Sequence, residues 1–403
     1  MGAAPSQTKK PTVQQEKVLQ SLNDFNPQVH FSQSFVTFSL IPYLQHRVKN
    51  FQAGQISLHE KWAEITCDCK ILELVKGSQI EFIKDPPIQS SYPHNSVNRD
   101  HLEAVRFEIK SLLTKKVIIP SIHEPGEFIS PIFCVPKPND KIRLILNLKK
   151  FNESVANVHF KMDNIQTVLK LITKNCWMAS IDLKDAYYSV KVDPLYQKYL
   201  EFSFGNDLYQ FTAFPNGLST CPRQFTKLLK PALAYLRVEG YIIVAYIDDL
   251  YLQGRTLEEC VQNVIQTMKI LESLGFVVHP DKSVFIPSHR LIFLGFVLDS
   301  VKMTVTLTAE KREKLKALIQ RALSNPSQIQ IRTVAQLIGH FVSSLPAVRH
   351  GALHYRHLDK NKTTALKSNK GNFDSIMSIS ASGQQELKWW LTNIDTSFGY
   401  ITK

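Results

Sequence analysis

Two adjacent carboxylates, Asp248 and Asp249, sit between the apolar runs YIIVA and LYL. Side-by-side carboxylates repel unless a proton or a cation compensates them. An ordinary solvated turn would explain the pair without chemistry, because aspartate favours turns. A third carboxylate shifts the balance. Asp182 ends another apolar run, Ala179-Ser180-Ile181, 66 positions before Asp248. A carboxylate at a strand end beside a hairpin tipped with two more makes an oxygen-only site. Such donors suit Mg²⁺, whose shell is completed by waters and substrate phosphates. Two such ions a few ångströms apart would stabilise both the attacking and the leaving oxygen of a phosphoryl transfer.

The pattern around these residues supplies strands and helices to hold them. Residues 1–30 are polar and read as a mobile arm. A strand-like stretch, Gln79–Ile83, precedes Asp85-Pro86-Pro87, and the Pro pair with the polar stretch to Asp100 reads as a linker. Apolar positions Leu102, Val105, Ile109 and Leu112 predict a helix over 101–116. Three short strands follow (VIIP, FCVPK, RLILNL), the last two joined by a turn at Pro138-Asn139-Asp140. Asp163 can cap a helix running to about Thr173. Strands are then expected at 177–183, 199–204, 208–214 and 241–246, with a hairpin turn at Gly205-Asn206-Asp207. A helix from Ser219/Thr220 carries Phe225, Leu228, Leu229, Ala232, Leu233 and Leu236 on one stripe, with a kink expected at Pro231. Further helices are expected at 257–274, 308–323 and 332–344, with a strand pair near 276–298. A mostly antiparallel sheet with segregated helices is α+β.

Five segments in order now resemble the palm of a reverse transcriptase. They are ASIDLKDAYYSV at 179–190, FPNGLSTCPRQF at 214–225, YIDDL at 246–250, FVVHPDKS at 276–283 and IFLGFVL at 292–298. Each is weak alone, but five in this order and spacing are specific, and the resemblance covers at least 117–300. Four stretches, KWAEITCDCKILELVKGSQIEF at 61–82, NVHFKMDNIQ at 157–166, FPNGLSTCPRQFTKLLKPALAYLR at 214–237 and LGFVLDSVKMTVTLTAEKREKL at 294–315, resemble the polymerase of DIRS-type retrotransposons, which mobilise with a tyrosine recombinase.

The resemblance implies a right-hand polymerase fold: an amino-terminal arm and extension at 1–100, fingers at 101–180, a palm with an antiparallel sheet at 181–300, a helical thumb at 301–365, and at 366–403 the start of a connection to an RNase H-like domain. It implies RNA-directed DNA polymerase activity, with an RNA template, a DNA primer duplex and deoxynucleoside triphosphates as partners and two Mg²⁺ ions as cofactor, Mn²⁺ being the alternative. Asp182 and Asp248 would bridge the ions, Asp249 would be the third carboxylate, and the Leu183 carbonyl would help hold the nucleotide-side ion. The primer 3′-hydroxyl would attack the α-phosphate, and pyrophosphate would leave.

The same resemblance makes Tyr187 a steric gate against a 2′-hydroxyl, the blander reading being a core tyrosine. Lys137 and Arg143 match positions that hold the triphosphate, Arg as a fork and Lys as a point charge; otherwise they are surface charges on a solvated hairpin. Asp185 sits where a backbone amide meets the triphosphate and can pair with a finger cation. Lys282 matches a lysine that protonates the departing pyrophosphate; alone it is a lysine in a polar turn. Asn216 stands where retroviral enzymes have Gln, one methylene longer, which shifts its contact with the incoming nucleotide. The IFLGFVL segment resembles the primer grip. Beyond Trp390 only Asp395 carries a carboxylate, so no RNase H activity is expected. The rival class is a truncated or domesticated remnant that binds nucleic acid without catalysis. A small gate residue and a GDD turn would point to an RNA-synthesising palm; Tyr187 and YIDD do not.

Composition agrees with a polyanionic partner. The chain has 403 residues and a formal net charge of +13, and this basic excess points to nucleic acid or an acidic membrane surface. Residues 101–200 carry 15 basic and 10 acidic groups, residues 301–403 carry 15 and 6, and residues 201–300, which hold the Asp-Asp pair, carry 8 and 10. The apolar share of 44% builds real cores, which argues against disorder. No run of 18 apolar residues offers a membrane span, and the amino terminus lacks a secretory h-region. An intracellular location, cytoplasmic or nuclear, is therefore expected. The six cysteines lack zinc-ribbon spacing and read as free thiols, with Cys67 and Cys69 in packing. Gly2 and Ser6 match a myristoylation pattern that equally fits a floppy start. His350, His354 and His357 are helically spaced, but no carboxylate or cysteine joins them in a ligand pattern, so contact with nucleic acid or solvent is expected rather than zinc.

Overall fold

The computed structural model describes residues 32–58, 60–89, 102–136 and 142–402. The arm with Gly2 and Ser6, most of the expected linker, Lys137 and the Pro138-Asn139-Asp140 turn lie outside the described residues. The chain divides into two compact units, one of residues 1–163 with 179–286, the other of 164–178 with 287–403.

The first unit is built on a four-stranded sheet in the spatial order Ile242–Tyr246, Asp249–Gly254, Trp177–Asp182, Val284–Ser288. The strand Trp177–Asp182 starts in the second unit and ends in the first; Val284–Ser288 does the reverse. The strands Asp249–Gly254 and Trp177–Asp182 are buried along nearly their whole length, which is why they read as continuous apolar runs rather than alternating ones. Helix Cys221–Val238 packs against the first strand and helix Leu257–Ser273 against the second. The former runs unbroken through Pro231, burying Phe225, Leu228, Leu229, Ala232, Leu233 and Leu236. The latter is capped by the Thr256 hydroxyl, which accepts from the Glu259 amide.

A second antiparallel sheet places Asp207–Phe211 between Ile118–Ser121 and Glu201–Phe204. Phe204 pairs with Asp207, leaving Gly205-Asn206 as a two-residue turn with Gly205 at φ 62°. Strands Ile132–Pro136 and Ile142–Leu146 form a separate hairpin.

Three expectations are corrected. The stretch Gln79–Ile83 is not a strand: its ladder contacts are the isolated bridges of Ser78 to Val192 and Phe82 to Val155. Phe82 instead inserts its ring among Phe151, Tyr196 and Tyr199, so side-chain packing replaces a ladder. The helix expected from Asp163 is Ile165–Leu171, capped by Asn164, whose side chain accepts from the Gln166 and Thr167 amides. Cys67 and Cys69 are exposed rather than packed; Asp68 between them caps helix Cys69–Lys76 by accepting from the Lys70 amide, which leaves its neighbours on the outside.

Among the described residues before 83, helical segments dominate, including Ile41–Lys49, Gln55–Leu58, Lys61–Ile65 and Cys69–Lys76. Tyr43 donates to Glu272 at 2.6 Å, Gln55 to the Gly275 carbonyl at 2.5 Å, and the Trp62 indole to the Leu274 carbonyl at 3.1 Å. The buried Arg223 guanidinium pairs with Glu81 at 3.0 Å. The described part of the extension is therefore integral to the first unit.

Glu201 gives this unit a pH dependence. It is buried, with one carboxylate oxygen accepting from the Ser121 hydroxyl at 2.6 Å and the other unpartnered. Burial pushes its carboxyl up to about 7, against the opposing pull of the Ser121 hydrogen bond, and Glu127 and Glu124 add to the rise. The folded state then keeps a proton that the unfolded chain gives up, so stability falls as pH rises from about 4.5 through 7 and is flat above. Glu201→Gln should remove that slope and raise the melting temperature at pH 8 by a few degrees; melting curves across pH check this.

In the second unit an antiparallel sheet runs Arg290–Phe293, Phe296–Asp299, Thr304–Leu307, Gly399–Tyr400. The IFLGFVL segment is the first hairpin, turning at Leu294 (φ 50°) and Gly295 (φ 76°). Helices Ala309–Ser324, Ile331–Ser344, Arg356–Ser368 and Ala381–Asn393 pack together, with Phe341 and Trp390 stacked at 4.4 Å. The buried Glu386 carboxylate accepts from the His357 and Leu358 amides and so caps helix Arg356–Ser368. Asp395 pairs with Arg312 and Lys316. His354 stacks on Trp389 at 3.9 Å.

Candidate active site

Strand Ile242–Tyr246 turns back at Ile247-Asp248, because Tyr246 pairs directly with Asp249. Asp248 is thus at the tip, and Asp249 is the first residue of the return strand. Ile247 sits at φ 56°. A β-branched residue pays about 1–3 kcal/mol for that conformation, so the hairpin holds its carboxylates under strain.

Asp182 arrives on the neighbouring strand, its backbone clamped on both sides. Its amide donates to the Ser283 hydroxyl at 3.0 Å, and its carbonyl accepts from the His279 amide at 2.8 Å. The next residue ties the strand to the hairpin, the Leu183 amide donating to the Asp248 carbonyl at 2.8 Å. Lys184 then donates its amide to the Val277 carbonyl at 2.7 Å.

The electrostatics show an unmet charge. Asp182 is 8% exposed, and its Oδ1 has no hydrogen-bond partner. Burial raises its carboxyl pKa; Lys282, whose Nζ lies 3.4 Å from Oδ2, opposes this, and Asp248 adds to the rise. Asp249 is pushed up to about 7 by burial first, then by the charges of Asp248 and Asp182 and by a hydrogen bond with Asp182. Among the described residues no group of three or more His, Cys, Asp or Glu forms a ready metal cage. The orphaned oxygen and the repelling carboxylates nonetheless fit a divalent cation completed by waters and phosphates.

Tyr187 lies in the short turn Ala186–Ser189, close enough to Asp248 for that charge to raise its hydroxyl pKa, after burial and Cys221. Asp185 starts this turn at φ 48°. Burial opposes its charge, but the Lys115 ammonium at 2.7 Å and Lys184 at 3.3 Å outweigh that and hold its carboxyl below the usual range. Asn216 donates its amide to the Tyr188 hydroxyl at 3.0 Å, so it fixes the residue next to Tyr187. Gly217, at φ 118°, lies so close to the Leu146 carbonyl that a Cβ would stand 2.1 Å from the oxygen. Arg143 is exposed on strand Ile142–Leu146 and near enough to Tyr188 to lower its hydroxyl pKa against the effect of burial. Asp182, Asp248, Asp249, Lys282 and Tyr187 are thus brought together, with Asn216 and Arg143 meeting around Tyr188; Lys137 lies outside the described residues.

Sequence reasoning gave no role to Lys115, which anchors Asp185 from 70 positions away, or to Ser283, which receives the Asp182 amide. No local signal marks Lys115. Ser283 stands inside FVVHPDKS, where only its spacing from Lys282 could have drawn notice.

Residues 135–298 match the family described as reverse transcriptase (RNA-dependent DNA polymerase). The chain is 24% identical over 226 residues to the retrovirus-related Pol polyprotein from transposon 412 of Drosophila melanogaster, covering 54% of this chain and 17% of that protein. It is 23% identical over 290 residues to the Pro-Pol polyprotein of simian foamy virus type 1, covering 72% of this chain and 23% of that one. The chain spans about a fifth or less of the length of the first curated relatives it matches. A solved foamy viral protease-reverse transcriptase in complex with double-stranded DNA superposes with a TM-score of 0.64 at 17% identity, over 98% of this chain and 74% of that one. A second, a dRH form also with double-stranded DNA, gives 0.65 over 98% and 62%. At this identity the likeness establishes the fold, an α+β polymerase. Residues 135–298 are thus similar to the reverse transcriptase family, and the relatives that share this stretch are retroviral and transposon Pol polyproteins.

Proposed function

We propose that this chain is an RNA-directed DNA polymerase that extends a DNA primer on an RNA template in retrotransposon replication, nearest to the DIRS-type elements. The observation that carries the reading is the meeting of Asp182 and Asp249 from neighbouring strands with Asp248 at the turn, where Asp182 Oδ1 is left without a partner. The subgroup rests on the segments at 61–82, 157–166, 214–237 and 294–315.

Asp182, Asp248, Asp249 and the Leu183 carbonyl would hold two Mg²⁺ ions, or Mn²⁺ in their place. Bound there, the ions supply neutralisation of the charge that builds up as the primer 3′-hydroxyl displaces pyrophosphate from the α-phosphate. The remaining work belongs to positioning. Arg143 and Lys137 take the triphosphate of the deoxynucleotide, the Asp185 backbone meets it from below, and Lys115 keeps the Asp185 turn in place. Tyr187 lies under the sugar, and Asn216 steadies Tyr188 beside it. Lys282, side chain 59% exposed and 3.4 Å from Asp182, would pass its proton to the departing pyrophosphate.

In this reading residues 101–180 are fingers, 181–300 palm, 301–365 thumb and 366–403 the start of a connection, and the protein works inside the cell. The basic blocks at 101–200 and 301–403 would grip the duplex phosphates. Among the described residues no helix is long and apolar enough to cross a membrane. The uses of Glu386 as a helix cap and Asp395 as an ion-pair partner support the expectation that no RNase H chemistry resides in 366–403.

The test is a primed RNA template with Mg²⁺ and deoxynucleotides, run beside Asp248→Asn. Extension by the unchanged chain, falling by at least about a hundredfold in the variant, supports the proposal. Tight binding without extension would identify a nucleic-acid-binding remnant instead.

A further inference from the structure

A row of aromatic rings joins the amino-terminal extension to the gate. Trp62, in helix Lys61–Ile65, meets Phe276 edge to face, ring centres 6.1 Å apart at 70°. Phe276 meets Phe225 of helix Cys221–Val238 the same way, at 6.0 Å and 80°. Phe225 in turn meets Tyr187 at 5.7 Å and 74°. Trp62, Phe276 and Phe225 are each at most 1% exposed. Edge-to-face pairs prefer defined geometries, and a close-packed interior passes on a displacement rather than absorbing it.

Both ends of the row are fixed. At the far end the Trp62 indole donates to the Leu274 carbonyl at 3.1 Å and Gln55 to the Gly275 carbonyl at 2.5 Å. These hold the start of segment 276–279, which runs directly beside Asp182–Lys184. At the near end the Gly54 amide donates to the Tyr188 carbonyl at 2.9 Å. The extension therefore grips the gate turn twice, once by backbone and once through rings.

We propose that Trp62 and Phe276 are positioning residues for sugar selection: through Phe225 they set the place of the Tyr187 ring and so the enzyme's preference for deoxynucleotides over ribonucleotides. The inference rests on Tyr187 being the gate. Through Trp62 it assigns a function to a part of the chain outside the five motif segments. Removing the Trp62 ring leaves a cavity behind Phe276, lets Phe225 retreat, and gives Tyr187 room to yield to a 2′-hydroxyl.

Single-nucleotide extension on a primed RNA template, giving kcat/KM for a deoxynucleotide and its matching ribonucleotide, tests this in five forms of the chain: unchanged, Trp62→Ala, Trp62→Phe, Tyr187→Ala and the Trp62→Ala/Tyr187→Ala double variant. Trp62→Ala should lower the deoxy-to-ribo ratio by about twofold to thirtyfold, the range for residues coupled to a site they do not touch, mostly by admitting the ribonucleotide. In the Tyr187→Ala background it should change the ratio no further, because residues acting through one another are not additive. Trp62→Phe, which keeps a ring, should restore the ratio. A merely structural role would slow both nucleotides alike and leave the ratio unmoved. A wild-type ratio in Trp62→Ala, or an equal drop with and without Tyr187, overturns the inference. An unchanged ratio in Tyr187→Ala overturns the gate assignment itself. Should Trp62→Ala not melt cooperatively, Phe276→Leu is read by the same criteria.

Discussion

An Asp249→Asn protein should lose primer extension by at least about a hundredfold and, without metal at pH 8, should melt at a higher temperature than the unchanged chain. The two effects share one cause. Burial and the charges of Asp248 and Asp182 push the Asp249 carboxyl up to about 7 from 3.8. The folded metal-free protein then holds a proton that the unfolded chain releases, so its stability is full below about pH 4 and falls as pH rises through 7. The rise corresponds to at most about 4 kcal/mol, which solvent screening at this partly exposed group reduces to about 1–2 kcal/mol. Asparagine keeps the shape and removes the charge, so the slope should flatten and the melting temperature rise by a few degrees. Mg²⁺ should raise the melting temperature of the unchanged protein, as any ligand of the folded state does, and should do so less for the variant. Calorimetry over pH 4–8 with and without Mg²⁺ reads all three. A variant less stable than the parent at pH 8 would show that the carboxylates are not in mutual repulsion.

Tyr187→Ala should open the site to ribonucleotides, lowering the deoxy-to-ribo ratio of kcat/KM by about a hundredfold or more while extension with deoxynucleotides continues. A steric wall discriminates strongly because the excluded atom has nowhere to go. The ring is in a position to be such a wall: its neighbours Phe225 and Asp248 put it between the apolar core and the carboxylates. The Asn216 bond to Tyr188 and the Gly54 bond to the backbone beside it keep the turn from sliding away. Tyr187→Phe should keep the ratio, since the exclusion depends on ring volume and not on the hydroxyl. Steady-state kinetics with the two nucleotide types distinguishes these outcomes.

Asp182, Asp248 and Asp249 were legible from sequence because each ends or interrupts a buried apolar run, where a carboxylate has no packing reason to be. The strands and helices around them followed from the same burial: the stripe from Phe225 to Leu236 is the face that meets the sheet. The limits of legibility also have physical causes. Asn164 rather than Asp163 caps its helix, a choice residue type does not decide because Asn and Asp are comparable cap acceptors. Gln79–Ile83 alternates like a strand, yet a pocket of rings captures Phe82 and no ladder forms. Lys115 and Trp62 reach the site across 70 and more than 100 positions, and nothing in their local sequence announces the partner. Cys67 and Cys69 look like core residues by type but flank a cap that must face solvent.

The contact at Gly217 bears on how lineages of such a sequence can drift. The Leu146 carbonyl would lie 2.1 Å from any added Cβ, and every other amino acid carries one. Position 217 consequently has no conservative neighbour: a change to alanine is as disruptive in kind as a change to valine, since both drive the segment away from strand Ile142–Leu146. A Gly217→Ala protein should then lose primer extension even with all three aspartates intact.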